Sequence, residues 1–125
     1  MVVDTLADER ADRVFHALAD ATRRDIVLRA LEGTHSVSTL ARRYPMSFAA
    51  VQKHVAVLEG AGLVVKQRKG REQLVTGDVD TIRRASRLLE QWEAVWRGRI
   101  DRIDALLSID SINNDDNTNN GGTKP

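Results

Sequence analysis

Between Pro45 and Gly62 the chain has room for one helix and nothing longer. Proline lacks a backbone N–H and its ring clashes with the preceding turn, so no helix runs through Pro45. Glycine takes the position just past a helix end at little cost, so Gly60 and Gly62 mark the other limit. Inside those limits "SFAAVQKHVAVLEGAG" opens on a serine cap, and Val51, Val55 and Leu58 recur at helical spacing on one face. The other face carries Ala49, Gln52, Lys53 and Ala56, which offer little chemistry. Directly afterwards "LVVKQRKGREQLV" becomes β-branched and short-period, with Lys69, Gly70 and Arg71 near the tip of a hairpin. A helix with a bland outer face thus runs straight into a cationic turn.

The flanking sequence is helical. Ala7, Ala11, Val14, Phe15 and Leu18 give a first helix, for which Thr5 is the expected N-cap, with Asp8 three residues on. Asp20 caps a second, with Ile26, Val27, Ala30 and Leu31 as its buried stripe and Gly33 as its end. Ser36 caps a short third helix carrying Val37, Leu40 and Ala41. After the hairpin, Ile82, Ala85, Leu89, Trp92, Trp96, Ile100, Ile103 and Leu107 continue in steps of three and four. The remainder, "SIDSINNDDNTNNGGTKP", is rich in Asn, Asp and Gly and is expected to be disordered. The expected organisation is therefore one mainly α domain over residues 1–107, with five helices and a two-stranded wing, and a tail over 108–125.

Composition narrows the function. The absence of cysteine excludes disulfides, thiolate metal sites and thiol nucleophiles. No segment approaches the ~20 apolar residues of a membrane span, and the N-terminus is unlike a signal peptide, so a cytoplasmic protein is expected. No His–acid–Ser arrangement, phosphate-cradling glycine loop or paired carboxylates at a predicted cleft stand out, so neither enzyme activity nor a cofactor is expected. Residues 36–77 hold seven basic and two acidic residues, a net of +5 in a chain whose overall charge is only +1. Such a block fits a polyanionic partner and equally fits a solvated surface.

Order and capping favour the first. A short helix, a tight turn and a second capped helix make a helix-turn-helix, whose second helix enters the DNA major groove. Over 47–61, Ala49 and Ala56 let that helix approach the groove floor, Gln52 suits an adenine edge and Lys53 a guanine edge. Ser47 and the first-turn amides suit a phosphate. Over 63–77 the hairpin becomes a wing, with Lys66, Arg68, Lys69 and Arg71 directed at phosphates or a minor groove. Phe48 also belongs to the expected DNA-binding set. An alternative is a winged helix that meets an acidic protein partner.

The stretches "ALADATRRDIVLRAL" and "STLARRYPMSFAAVQKHVAVLEGAGLVVKQRKGRE", together with the last helix, resemble winged helix-turn-helix repressors of the ArsR/SmtB type over residues 10–107. That resemblance implies a homodimeric repressor binding an imperfect palindrome near its own promoter. It places His54 at a polar position near the DNA backbone, where a phosphate or packing contact is expected, and so adds it to the DNA-binding set. Metal-sensing members carry a cysteine pair where this chain reads "HSVSTLA", and others use histidines on the last helix, where this chain has only carboxylates. With His16, His35 and His54 in separate elements, no metal site is expected. An organic small-molecule effector in the apolar space between the first and last helices, or protein concentration alone, is the expected means of control. The first and last helices of two subunits are expected to pack across a two-fold axis, with Leu89, Trp92, Trp96, Ile100 and Ile103 as the dimer interface, since so small a monomer has little core to cover them. The alternative is that this stripe packs against the first helix within one subunit.

Overall fold

The computed structural model describes residues 5–121, and the side chains of residues 9–109. Five helices and a small sheet follow in the order α1 (Thr5–Leu18), α2 (Ala21–Glu32), β1 (His35–Ser36), α3 (Val37–Ala41), α4 (Phe48–Gly60), β2 (Val64–Lys69), β3 (Glu72–Gly77) and α5 (Val79–Gly121). The chain divides within α5 into two compact units, Met1–Ser86 and Arg87–Pro125.

Helix starts in the first unit are set by side chains. The carboxylate of Asp20 and the hydroxyls of Ser36 and Ser47 each accept from the amide three residues on, at 3.0, 3.1 and 3.1 Å. Each cap contributes roughly 1 kcal/mol by satisfying an amide the helix cannot. Thr5 is the first described residue of α1 rather than a described cap, and its side chain and Asp8's lie outside the described ones. Gly33 does end α2, but in extended backbone (φ 175°) that any residue adopts, not in the left-handed form.

The end of α4 is specific. Gly62 has φ 77°, its amide donates to the Glu59 carbonyl at 3.0 Å, and the Leu63 amide donates to the Leu58 carbonyl at 3.0 Å. This pair of bonds is the Schellman arrangement, in which the left-handed residue is nearly always glycine. Leu58 and Leu63, the two residues such an ending brings together, are both fully buried. The Leu63 carbonyl then accepts from the Asp78 amide at 2.9 Å, and the Asp78 carboxylate accepts from the Asp80 amide at the start of α5.

The sheet has three strands in the order β1-β3-β2, one more than the expected hairpin. β1 adds only the antiparallel pairs His35↔Val75 and Ser36↔Leu74. Two residues are too few to show a period-two pattern, so the sequence gives no sign of it. β2 and β3 pair from Val64↔Gly77 to Lys69↔Glu72, leaving Gly70 and Arg71 as a two-residue loop. Only Gly70 of these has positive φ (65°), which selects the type II′ turn that matches strand twist.

The core of this unit draws Val14 and Ala17 from α1, Ile26, Val27 and Ala30 from α2, Val37 and Leu40 from α3, Val51, Val55 and Leu58 from α4, and Leu63, Val64 and Val75 around the sheet. Leu31, expected in the α2 stripe, is 39% exposed. Ile82 and Ala85 pack against the core from the first turns of α5. The helix continues past Leu107 to Gly121, into the segment expected to be a disordered tail. Residues 122–125 of that segment lie outside the described ones.

Candidate nucleic-acid interface

The segment from α3 to β3 brings the expected site residues onto two surfaces. After α3 the chain turns at Arg42, Arg43 and Tyr44, and Met46 donates to the Tyr44 carbonyl at 2.8 Å before Ser47 opens α4. The Tyr44 hydroxyl donates to the Asp25 carboxylate of α2, which also takes the Arg29 guanidinium at 2.8 Å. The Tyr44 hydrogen bond, then Arg29, holds the Asp25 carboxyl below the usual range. Burial, then the Asp25 hydrogen bond, pushes the Tyr44 phenol up to about 12. This trio fixes the turn that precedes α4 against α2.

Val51, Val55 and Leu58 anchor α4 in the core, leaving Phe48, Ala49, Gln52, Lys53 and Ala56 exposed on the far side. At 100° per residue these five span about 140° of the helix circumference. Ser47 is exposed too. Its oxygen is committed to the Ala50 amide, but its hydroxyl proton remains free to donate. The amides of Phe48 and Ala49, in the first turn, have no intrahelical acceptor. The arrangement suits a close approach to an anionic groove, with the positive end of the helix dipole leading.

His54 differs from the other expected contacts. It is half-buried on the flank of α4, where its Nδ1 lies 3.4 Å from the Arg23 guanidinium and 3.9 Å from the Asp20 carboxylate. Arg23 is itself committed to the Ala17 and His16 carbonyls at the end of α1, at 2.7 and 3.1 Å. An Nδ1 that accepts from Arg23 leaves only Nε2–H for an outside partner. The side chain ties α4 to the α1–α2 corner, a contact that sequence spacing does not show.

In the wing, Arg68, Lys69 and Arg71 are exposed. Strand alternation places Arg68 on the face shared with Val64 and Val75, and Lys69 on the opposite face, directly across from Glu72. The three cations therefore do not form a single patch. Lys66 sits 3.9 Å from the Glu59 carboxylate of α4, which occupies it more than its neighbours. Arg42 and Arg43, counted in the basic block of the sequence, are exposed in the turn before α4.

In the second unit the expected dimer residues fall on one seam of α5. Leu89, Trp92, Trp96, Ile100 and Ile103 lie within about 80° of the helix circumference. They are 48%, 58%, 56%, 37% and 47% exposed. Val95 and Leu106, beside the seam, are more exposed still and were not singled out by the sequence. The Arg99 guanidinium lies 5.9 Å from the centre of the Trp96 ring, within cation–π range.

Among the described residues no group of three or more His, Asp or Glu side chains converges to hold a metal, and no helix is long and apolar enough to cross a membrane.

Residues 18–67 match the family model for a helix-turn-helix domain. Over 59 residues the chain is 48% identical to the HTH-type transcriptional regulator Rv2034 of Mycobacterium tuberculosis, which covers 47% of this chain and 55% of that protein. The chain thus spans about half the length of that relative. It is 33% identical over 89 residues to the HTH-type transcriptional regulator YuzN of Bacillus subtilis, covering 65% of this chain and 92% of YuzN. An ArsR-like transcriptional regulator from Rhodococcus sp. RHA1 shares the fold at a TM-score of 0.70 with 34% identity, over 83% of this chain and 96% of that one. The homodimeric winged helix-turn-helix DNA-binding domain of a Mycobacterium bovis protein matches at a TM-score of 0.60 and 22% identity, over 74% and 89% of the two chains, and shows the fold alone.

Proposed function

The chain belongs to the ArsR family of helix-turn-helix transcriptional regulators, and we propose that it works as a homodimeric repressor of a palindromic operator. α4 enters the major groove, with Gln52 and Lys53 on base edges and Ser47 with the first-turn amides on a phosphate. The wing cations Arg68, Lys69 and Arg71 neutralise flanking phosphates, and His54 holds the angle of α4 from behind. The observation that supports this reading is the outward face of α4, which is exposed and, apart from Phe48, small or polar, while its other face is sealed in the core.

Two subunits associate through the α5 seam, so that two reading helices meet half-sites about 10 bp apart or a multiple of that. Residues 108–125 take no part in reading. Control comes from an organic small molecule or from protein concentration, since thiophilic metals have no thiolate to bind. The test is to select an operator from random DNA and titrate it by anisotropy at several salt concentrations. Inverted half-sites, with a steep fall in affinity with salt, support the proposal. Binding without sequence preference, or a preference for an acidic protein over any DNA, overturns it.

A further inference from the structure

Phe48 is a costly residue to leave in water. It is the first residue of α4 and 47% exposed, and it belongs neither to the core nor to the partly buried side chains packed against it. Among the described residues of this unit, the other exposed large apolar side chains are on α2 or at the base of the wing and α5. Phe48 stands on the outward side of the reading helix, beside Gln52.

A phenyl ring neither donates nor accepts a hydrogen bond, so a phosphate or a polar base edge is a poor target. The major groove offers one apolar group, the 5-methyl of thymine. We propose that Phe48 is a specificity-determining residue that reads a thymine methyl in each half-site, an inference that rests on the DNA-binding reading given above. Residues four apart on a helix are separated by about 40° and ~6 Å. Base pairs stack every ~3.4 Å. The thymine therefore lies within two base pairs of the base that Gln52 contacts. A 5-methylcytosine presents the same methyl on a different base pair, so the contact extends to methylated cytosine at that step.

The experiment is a methyl scan of the selected operator, with deoxyuridine replacing thymine one symmetric pair at a time, read by anisotropy. Burying one methyl contributes ~0.8 kcal/mol, which is about fourfold in affinity. Wild-type protein is expected to lose about fourfold per half-site at one position within two base pairs of the Gln52 contact. Phe48→Ala is expected to bind the operator above random DNA yet be indifferent to that replacement. With a cytosine placed at that position, methylating its C5 should strengthen wild-type binding and leave Phe48→Ala unchanged. Selective operator binding by wild type with no sensitivity to any thymine methyl overturns the role of Phe48 and leaves the repressor reading standing. The same holds if Phe48→Ala keeps the full methyl sensitivity. Failure to select any operator overturns both.

Discussion

Replacing Trp92 and Trp96 together by alanine tests the assembly that the seam of α5 implies. The two residues are 58% and 56% exposed in a single chain. An indole side chain has up to about 250 Å² to bury, so each leaves roughly 140 Å² facing solvent. Covering both rings in each of two subunits removes about 560 Å² of mostly apolar surface, or ~14 kcal/mol at 25 cal/mol per Å² before association costs. If only a third of that is realised, ~5 kcal/mol, the dimer Kd rises by more than three orders of magnitude. The variant is expected to keep its helical circular dichroism, because neither side chain belongs to the core. It should sediment as a monomer at micromolar concentration and lose operator affinity with the second half-site. A folded variant that remains a dimer and binds operator as tightly as wild type would refute the assignment of this seam.

Gln52→Ala should cost about 1–3 kcal/mol on the operator and relax preference at one base pair, measured by titrating single-base variants. Arg71→Ala should weaken all sequences alike and reduce the slope of log affinity against log salt by about one. The Tyr44–Asp25 pair gives stability two pH limits. The lowered Asp25 pKa adds stability that is present above its unfolded value near 3.9 and is lost as pH falls through the folded one. The raised Tyr44 pKa adds stability that is full below pH ~10 and is lost as pH rises toward 12. Tyr44→Phe should remove the alkaline loss and shrink the acid one in urea titrations from pH 2 to 12; an unchanged profile would contradict the pairing. Micromolar zinc, nickel, cobalt or arsenite should change operator affinity less than about threefold, under ~0.7 kcal/mol. A tenfold loss abolished by replacing His16, His35 or His54 would reveal a site.

Much of the fold could be read directly because local signals agreed. Asp20, Ser36 and Ser47 were expected as caps and each holds the amide three residues on. The stripe Val51, Val55 and Leu58 is buried as its spacing requires. What remained hidden depended on distant residues. β1 exists only because β3 lies beside it. For His54 a phosphate or packing contact was expected, but nothing in the spacing showed that its Nδ1 faces Arg23, 31 residues earlier in the chain. The opposed faces of Arg68 and Lys69 follow from a register that a list of cations does not contain. Tyr44 carried no motif at all, since its partner Asp25 is 19 residues away on another helix. Long-range hydrogen bonds leave no periodicity, and periodicity is what a single sequence displays.

Leu63 spends both of its backbone groups on different neighbours, its amide on the end of α4 and its carbonyl on Asp78, where the second wing strand gives way to α5. One residue thus pins α4 and both ends of the wing to a common point, which makes this unit a calliper of fixed span. In the proposed complex, the distance on the duplex between bases touched by α4 and phosphates touched by the wing would then be set by the protein and not by the DNA. A substituted base within a half-site removes one contact and leaves the rest in place. On that reading, an inserted or deleted base between the helix and wing contacts would put every contact on one side out of step, so spacing would be the less forgiving property of the operator.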